Sequence, residues 1–269
     1  MCQGPMHTFL KATPKVEHHV HVEGTLEPSL LFRLACENGI ALPDADDDPA
    51  FVDADSLLER YKDFTSLEDF LHYYFVGMSV LVKASDFETL AWEYFLRAKE
   101  DGVVHAEVFF DPQAHMERGV DVSTMLEGFT AARRRAGSEL DVTTELIVCI
   151  LRHLPVKSAE EMYQSVLPHL RSGVVAGLGL SSTEKGYPPK LFASTFASAE
   201  ESGFKRTAHA GEEADASYMR DALDSLHIQR VDHGIKLRDD PVLMAEYAEK
   251  KIMVTMCPLS NVRLSRICP

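Results

Sequence analysis

Near the N-terminus the apolar positions follow a two-residue rhythm. Val16, Val20 and Val22 are spaced through K-V-E-H-H-V-H-V-E-G at positions 15–24, the pattern of a strand with one buried face. Residues 25–42 then read as a helix, with Thr25 as N-cap, Pro28 early in the first turn and Gly39 as the stop. The acidic, proline-containing stretch 44–55 reads as a solvated loop. From 56 to 100 the spacing is helical, with Leu67, Phe70, Leu71, Tyr74 and Phe75 on one face, and three helices are predicted. That is long for a βα connection, so this insertion is expected to cover whatever site the fold carries.

Beyond the insertion, short apolar runs alternate with helical spacing. Strands are predicted at 103–110, 142–150, 174–180, 204–209, 228–233 and 252–257, and helices at 123–137, 158–172, 188–202, 217–226 and 241–250. Ser158 with Glu161 forms a capping-box pattern at the head of the second of these helices. Strict βα alternation implies a parallel sheet. Asp111, His209, His233 and Ser260 fall at or just past strand ends, where barrel enzymes place their chemistry. An open doubly wound sheet would share that property, but no G-x-G-x-x-G or phosphate loop follows the first strand. The expectation is an α/β, TIM-type (β/α)8 metal-dependent hydrolase barrel, with seven strands visible and a helical insertion after strand 1. It is one domain over 1–269, with its C-terminus incomplete.

Charge narrows the partners. The 269 residues carry a formal net charge of −15, which argues against nucleic acid or an anionic membrane as a partner. The five cysteines are widely spaced with no C-x-x-C, so reduced thiols in the cytoplasm are expected. The N-terminus has no apolar core of a signal peptide, and no run is long enough to span a bilayer. The predicted compartment is cytoplasmic, with the nucleus as a further possibility; sequence does not give the oligomeric state.

The histidines change the picture most. His19 and His21 lie two apart on the first strand, on one side and roughly 6.6 Å apart, while His18 points the other way. His209 closes the fifth strand. At a barrel mouth these three can converge on one metal, and zinc with three imidazoles, a further carboxylate and water is a plausible catalytic set. Glu212 lies three residues past His209, and His233 ends the next strand. One of the two could give a proton to substrate while the other orients or deprotonates the water. The fourth strand has no lysine to bridge a second ion. Arg133 to Arg135 read as a solvated helix end.

H-x-H at 19–21, H-A-G-E at 209–212, D-H-G at 232–234 and C-P-L-S-N at 257–261 together resemble the adenosine/adenine deaminase family, in order and spacing from about Pro14 onward. H-V-E-G-T-L-E-P at 21–28, F-F-D-P-Q at 109–113 and H-x-x-R-G at 115–119 are similar to its adenine deaminase branch; relatives acting on adenosine tend to carry aspartate where Glu23 stands. The resemblance implies zinc-dependent hydrolysis of a purine 6-amino group, adenine giving hypoxanthine and ammonia in purine salvage. It implies one Zn2+ per chain on His19, His21 and His209, Glu212 as the proton donor to N1, and His233 as the group that positions and deprotonates the water. The competing readings are adenosine deaminase and a non-catalytic purine-binding member. Nucleic-acid deaminases use H-x-E with P-C-x-x-C, which is absent here. Two departures stand out. Ser181 replaces a frequent aspartate, and the family's eighth strand, with its two adjacent aspartates, is not seen. The 269 residues alone are therefore expected to bind zinc weakly and to have little activity.

Overall fold

The computed structural model describes residues 4–264. The chain opens with an exposed helix α1 (Pro5–Ala12), which the apolar pattern did not announce, and enters β1 (Lys15–His21). A 3-10 turn at Val22–Thr25 ends the strand earlier than predicted. The insertion follows as α2 (Pro28–Asn38), α3 (Ala54–Arg60), α4 (Leu67–Met78) and α5 (Ala84–Glu100). The last three are the helices expected there. Then come β2 (Val103–Phe110), α6 (Pro112–Met116), α7 (Val122–Arg135), β3 (Thr143–Leu151), α8 (Val156–Arg171), β4 (Gly177–Ser181), α9 (Ala193–Glu201), β5 (Lys205–Ala210), α10 (Ala216–Leu226), β6 (Arg230–His233), α11 (Pro241–Glu249), β7 (Met253–Val254) and α12 (Pro258–Arg263).

The strands form one parallel sheet in the order β1 to β7, curled into the (β/α) barrel arc that the alternation implied. The core includes Phe87, Phe110, Phe129 and Phe196, all fully buried. Among the described residues, β1 and β7 are the sheet's edges. They flank a groove of about 810 Å³ that α5 also lines. At its upper end His19 Nδ1 lies 2.9 Å from the Thr255 hydroxyl. No described helix is long and apolar enough to cross a membrane. Cys36, Cys149 and Cys257 are unpaired; Cys2 and Cys268 lie outside the described residues.

Several predicted boundaries are corrected. The cap of α2 is Glu27, with Pro28 at its first position, because Thr25 is already held by the 3-10 turn, its hydroxyl donating to Val22 O at 2.8 Å. Ser158 lies inside α8, which starts after Pro155; the serine hydroxyl instead accepts from Gln113 Nε2 at 2.9 Å. The seventh strand is two residues long rather than six, since it pairs with β6 only at Met253 and Val254. The basic end of α7 is solvated only in part: Arg134 is exposed, Arg133 donates to Val174 O and Thr144 O, and Arg135, with 42% of its side chain exposed, lies 3.8 Å from the centroid of the Trp92 ring.

Helices α5 and α7 pack closest at Gly128. A β-carbon there would meet Ala84 O at 2.2 Å and Phe87 Cβ at 2.8 Å. Gly128→Ala should therefore destabilise the protein by about 1–3 kcal/mol, the cost of overpacking a core. Gly137→Ala, where nothing lies within 4 Å, should change the urea midpoint little. Equal midpoints for the two variants would refute the close-packing account.

Candidate metal and active site

The curl of the sheet brings three imidazoles to one point. His21 Nε2 lies 3.0 Å from His209 Nε2, and His209 Nε2 lies 3.1 Å from His19 Nε2. Ligand nitrogens about 2.0–2.1 Å from a tetrahedral zinc stand roughly 3.3 Å apart, and the two separations that share His209 are close to that spacing. The strand β1 reaches this geometry through a slip in its pairing with β2 between Glu17 and Val20. His18 stands outside this cluster, 3.5 Å from Glu107. His209, the predicted strand end, is the penultimate residue of β5, which runs on to Ala210.

Two of the rings are held neutral. Burial, then the neighbouring imidazoles, push His19 and His209 well below the usual histidine range, which leaves ring nitrogens free to bind a cation. His21 goes the other way: burial opposes its charge, but Asp111 beside it raises its pKa. The second nitrogen of each ring is also engaged. His209 Nδ1 donates to Leu180 O at 2.9 Å. His21 Nδ1 is 3.8 Å from Asp111, and His19 Nδ1 is 3.7 Å from the fully buried Asp232. Such outer partners fix ring orientation in metal sites. They rest on further polar layers. Asp232 accepts from the Thr207 hydroxyl at 2.5 Å and lies 3.1 Å from Arg230 Nε.

Beside the three rings stands a carboxylate–imidazole pair. His233 Nε2 is 3.5 Å from Glu212, and His233 Nδ1 donates to Asn261 Oδ1 at 2.9 Å. Burial works against charging this ring, but the Glu212 carboxylate outweighs it and pushes the pKa to about 10. The ring comes off β6 with a left-handed backbone, φ 68°. Gly211, between His209 and Glu212, has φ 71°, and a β-carbon there would meet Met219 Sδ at 2.6 Å; the tight step between these two side chains needs glycine. A second grouping is also compact: ligand nitrogens of His19, His209 and His233 all lie within 4.8 Å of one another.

The rings open into a cavity of about 290 Å³, lined also by Asp111, Leu151, Ser181 and Ser260. The insertion roofs it with Leu67, Phe70, Leu71 and Tyr74 of α4. Tyr74 donates to Asp111 at 2.7 Å, and Ser181, to which no role was assigned from sequence, donates to the other oxygen at 3.1 Å. Sequence reasoning also missed a buried chain behind this wall. Asp111 N donates to Glu23 at 3.0 Å, His115 Nε2 lies 3.3 Å from the same oxygen, and Arg118 donates to His115 Nδ1 at 2.7 Å. Arg118 then reaches Met78 O and Ser79 O at the end of α4. The signal was present: these are the residues of H-V-E-G, F-F-D-P-Q and H-x-x-R-G.

Comparison with known proteins agrees with this geometry. The adenosine deaminase family profile matches residues 14–268. An adenine deaminase of Aspergillus fumigatus is 54% identical over 266 residues, covering 98% of this chain and 75% of the relative. One of Schizosaccharomyces pombe is 51% identical, covering 97% and 71%. The crystal structure of adenine deaminase from Arthrobacter aurescens superposes with a TM-score of 0.88 at 41% identity, covering 95% and 75%. An amidohydrolase crystallised with bound zinc superposes at 0.84 with 29% identity, covering 100% and 72%.

Tyr74→Phe deletes one donor to a buried carboxylate. It should lower stability by about 1–3 kcal/mol, read from the urea midpoint. A change below roughly 0.5 kcal/mol would mean that the hydroxyl does not hold Asp111.

Proposed function

The chain belongs to the adenosine deaminase family, and we propose that it hydrolyses adenine to hypoxanthine and ammonia with one zinc ion held by His19, His21 and His209. The observation that carries this reading is the meeting of three ring nitrogens at one wall of a cavity whose adjoining wall bears Glu212 and His233. The curated relatives named as adenine deaminases support the base, rather than the nucleoside, as substrate. Zinc suits the donor set, since imidazole nitrogens are its usual ligands, and when bound it would lower the pKa of water toward neutrality.

The protein's own residues supply the rest of the chemistry. The bond from His233 Nδ1–H to Asn261 leaves Nε2 facing the cavity; once the proton of the charged ring has passed to Glu212, 3.5 Å away, Nε2 takes a proton from the attacking water. Glu212 in its acid form gives a proton to N1, which makes C6 electrophilic. Oxygen adds to C6, giving a tetrahedral carbon that carries hydroxyl and amine. The hydroxyl proton then returns to Glu212, His233 passes its proton to the amine, and the C6–N bond breaks. One water is consumed, the ring keeps the proton on N1, ammonia leaves, and both side chains regain their starting states.

The grouping of His19, His209 and His233 within 4.8 Å supports a second reading, in which His233 is the third ligand. Metal analysis separates the two. His21→Ala should lose the metal and His233→Ala should keep it with little turnover; the reverse pattern would reassign the site. Glu212→Gln should retain the metal and lose turnover by at least roughly 10²-fold; turnover within a few-fold of the parent would remove the proton-donor role. Ammonia release should be faster from adenine than from adenosine, and the opposite order would sink the substrate assignment.

A further inference from the structure

Behind the wall that carries Glu212 lies a buried ion group that this chemistry does not use. Arg152, just past the end of β3, is fully buried, and its guanidinium nitrogens have no hydrogen-bond partner among the described residues. Its nearest counter-charge is Glu184, also fully buried, with Nη1 3.6 Å from Oε1. A buried guanidinium needs a compensating charge. Glu184 supplies it from the loop after β4.

The other oxygen of Glu184 reaches the loop that carries Glu212. Oε2 accepts from the backbone N–H of Glu213 at 2.9 Å and of Ala214 at 2.7 Å. The stitch is reciprocal. The Glu213 carboxylate accepts from the Thr183 hydroxyl at 3.2 Å and from Glu184 N–H at 3.4 Å. Glu212 therefore sits between two fixed points, the left-handed Gly211 on one side and the stitched Glu213 amide on the other. Charge-assisted bonds to backbone N–H groups are strong and directional. They fix the direction in which the Glu212 side chain leaves the backbone.

We propose that Arg152 and Glu184 are positioning residues for Glu212: the buried pair anchors the 182–185 loop, and that loop aims the proton donor at the substrate ring. The inference rests on the reading of Glu212 as that donor. A misplacement of about 1 Å in a reacting group can cost roughly 10²-fold in rate, so the effect belongs in kcat rather than in substrate affinity.

The test uses Arg152→Met with Glu184→Ala in the full-length protein, which removes both charges together and leaves neither buried alone. The expected result is metal content equal to the parent, KM for adenine within about threefold and kcat lower by at least about tenfold. Arg152→Met with Glu184→Gln, which restores an oxygen to accept the two amides, should recover most of that loss. In a Glu212→Gln background the Met/Ala pair should cost less than about twofold more, because a donor that is absent cannot be misaimed. Parental kcat in the Met/Ala variant would overturn the inference, as would a full further loss in the Glu212→Gln background. If the Met/Ala pair does not fold, Arg152→Lys makes the same comparison, with a smaller loss that the Glu212→Gln background must also erase. Parental turnover in Glu212→Gln alone would instead remove the underlying reading.

Discussion

An imidazole nitrogen of His209 about three ångströms from one of His19 and one of His21 is a constraint on everything around it. Lone pairs that face one another at such range are tolerated only with a proton or a cation between them. His19 and His21 come from one edge of the sheet and His209 from its far side, so the meeting depends on the curl of the whole sheet. It depends also on the register slip in β1, which turns His19 and His21 inward while His18 faces Glu107. Beneath the rings, Asp111 and Asp232 are buried carboxylates whose own satisfaction requires Tyr74, Ser181, Thr207 and Arg230. Removing any of these leaves a buried charge short of a partner, so the polar layers stand or fall together.

The residues that meet were easier to find than the residues that hold them. Alternation and strand-end histidines pointed to the barrel, because a parallel sheet exposes its C-terminal ends and the period of two fixes which side chains share a face. Caps and ends were read less well. Thr25 and Ser158 have the chemistry of caps, yet each hydroxyl is taken by a partner that sequence order hides, Val22 O in a tight turn and Gln113 across two elements. The strand β7 looked six residues long from its apolar run, but a strand is as long as its neighbour allows. The supporting network was least visible. Glu23 and His115 are 92 positions apart, and only folding makes them adjacent. Their motifs were noticed as a family likeness, without a physical reason for the spacing.

The helical insertion shows how a roof is attached to a barrel. Tyr74 ties the middle of α4 to Asp111, and Arg118 gathers the carbonyls at its end. The first tie ends on the carboxylate beside His21, and the second reaches the same residue through His115, Glu23 and the Asp111 amide. The surface that shapes the cavity and the surface that holds the histidines are thus parts of one buried hydrogen-bonded assembly. A change in α4 is felt at the rings without touching them.

His233 carries one more consequence. A residue with a β-carbon in the left-handed region gives up about 1–2 kcal/mol relative to an ordinary strand conformation, and this one lies next to Gly234, which is left-handed as well. Its bonds to Asn261 Oδ1 and to the Thr255 hydroxyl hold it there. The fold thus keeps the imidazole beside Glu212 in a conformation that the backbone alone would avoid. Under the role proposed for His233, selection for thermal robustness and selection for turnover act on this residue in opposite directions, and a more heat-resistant descendant would be under pressure to straighten β6 at this bend.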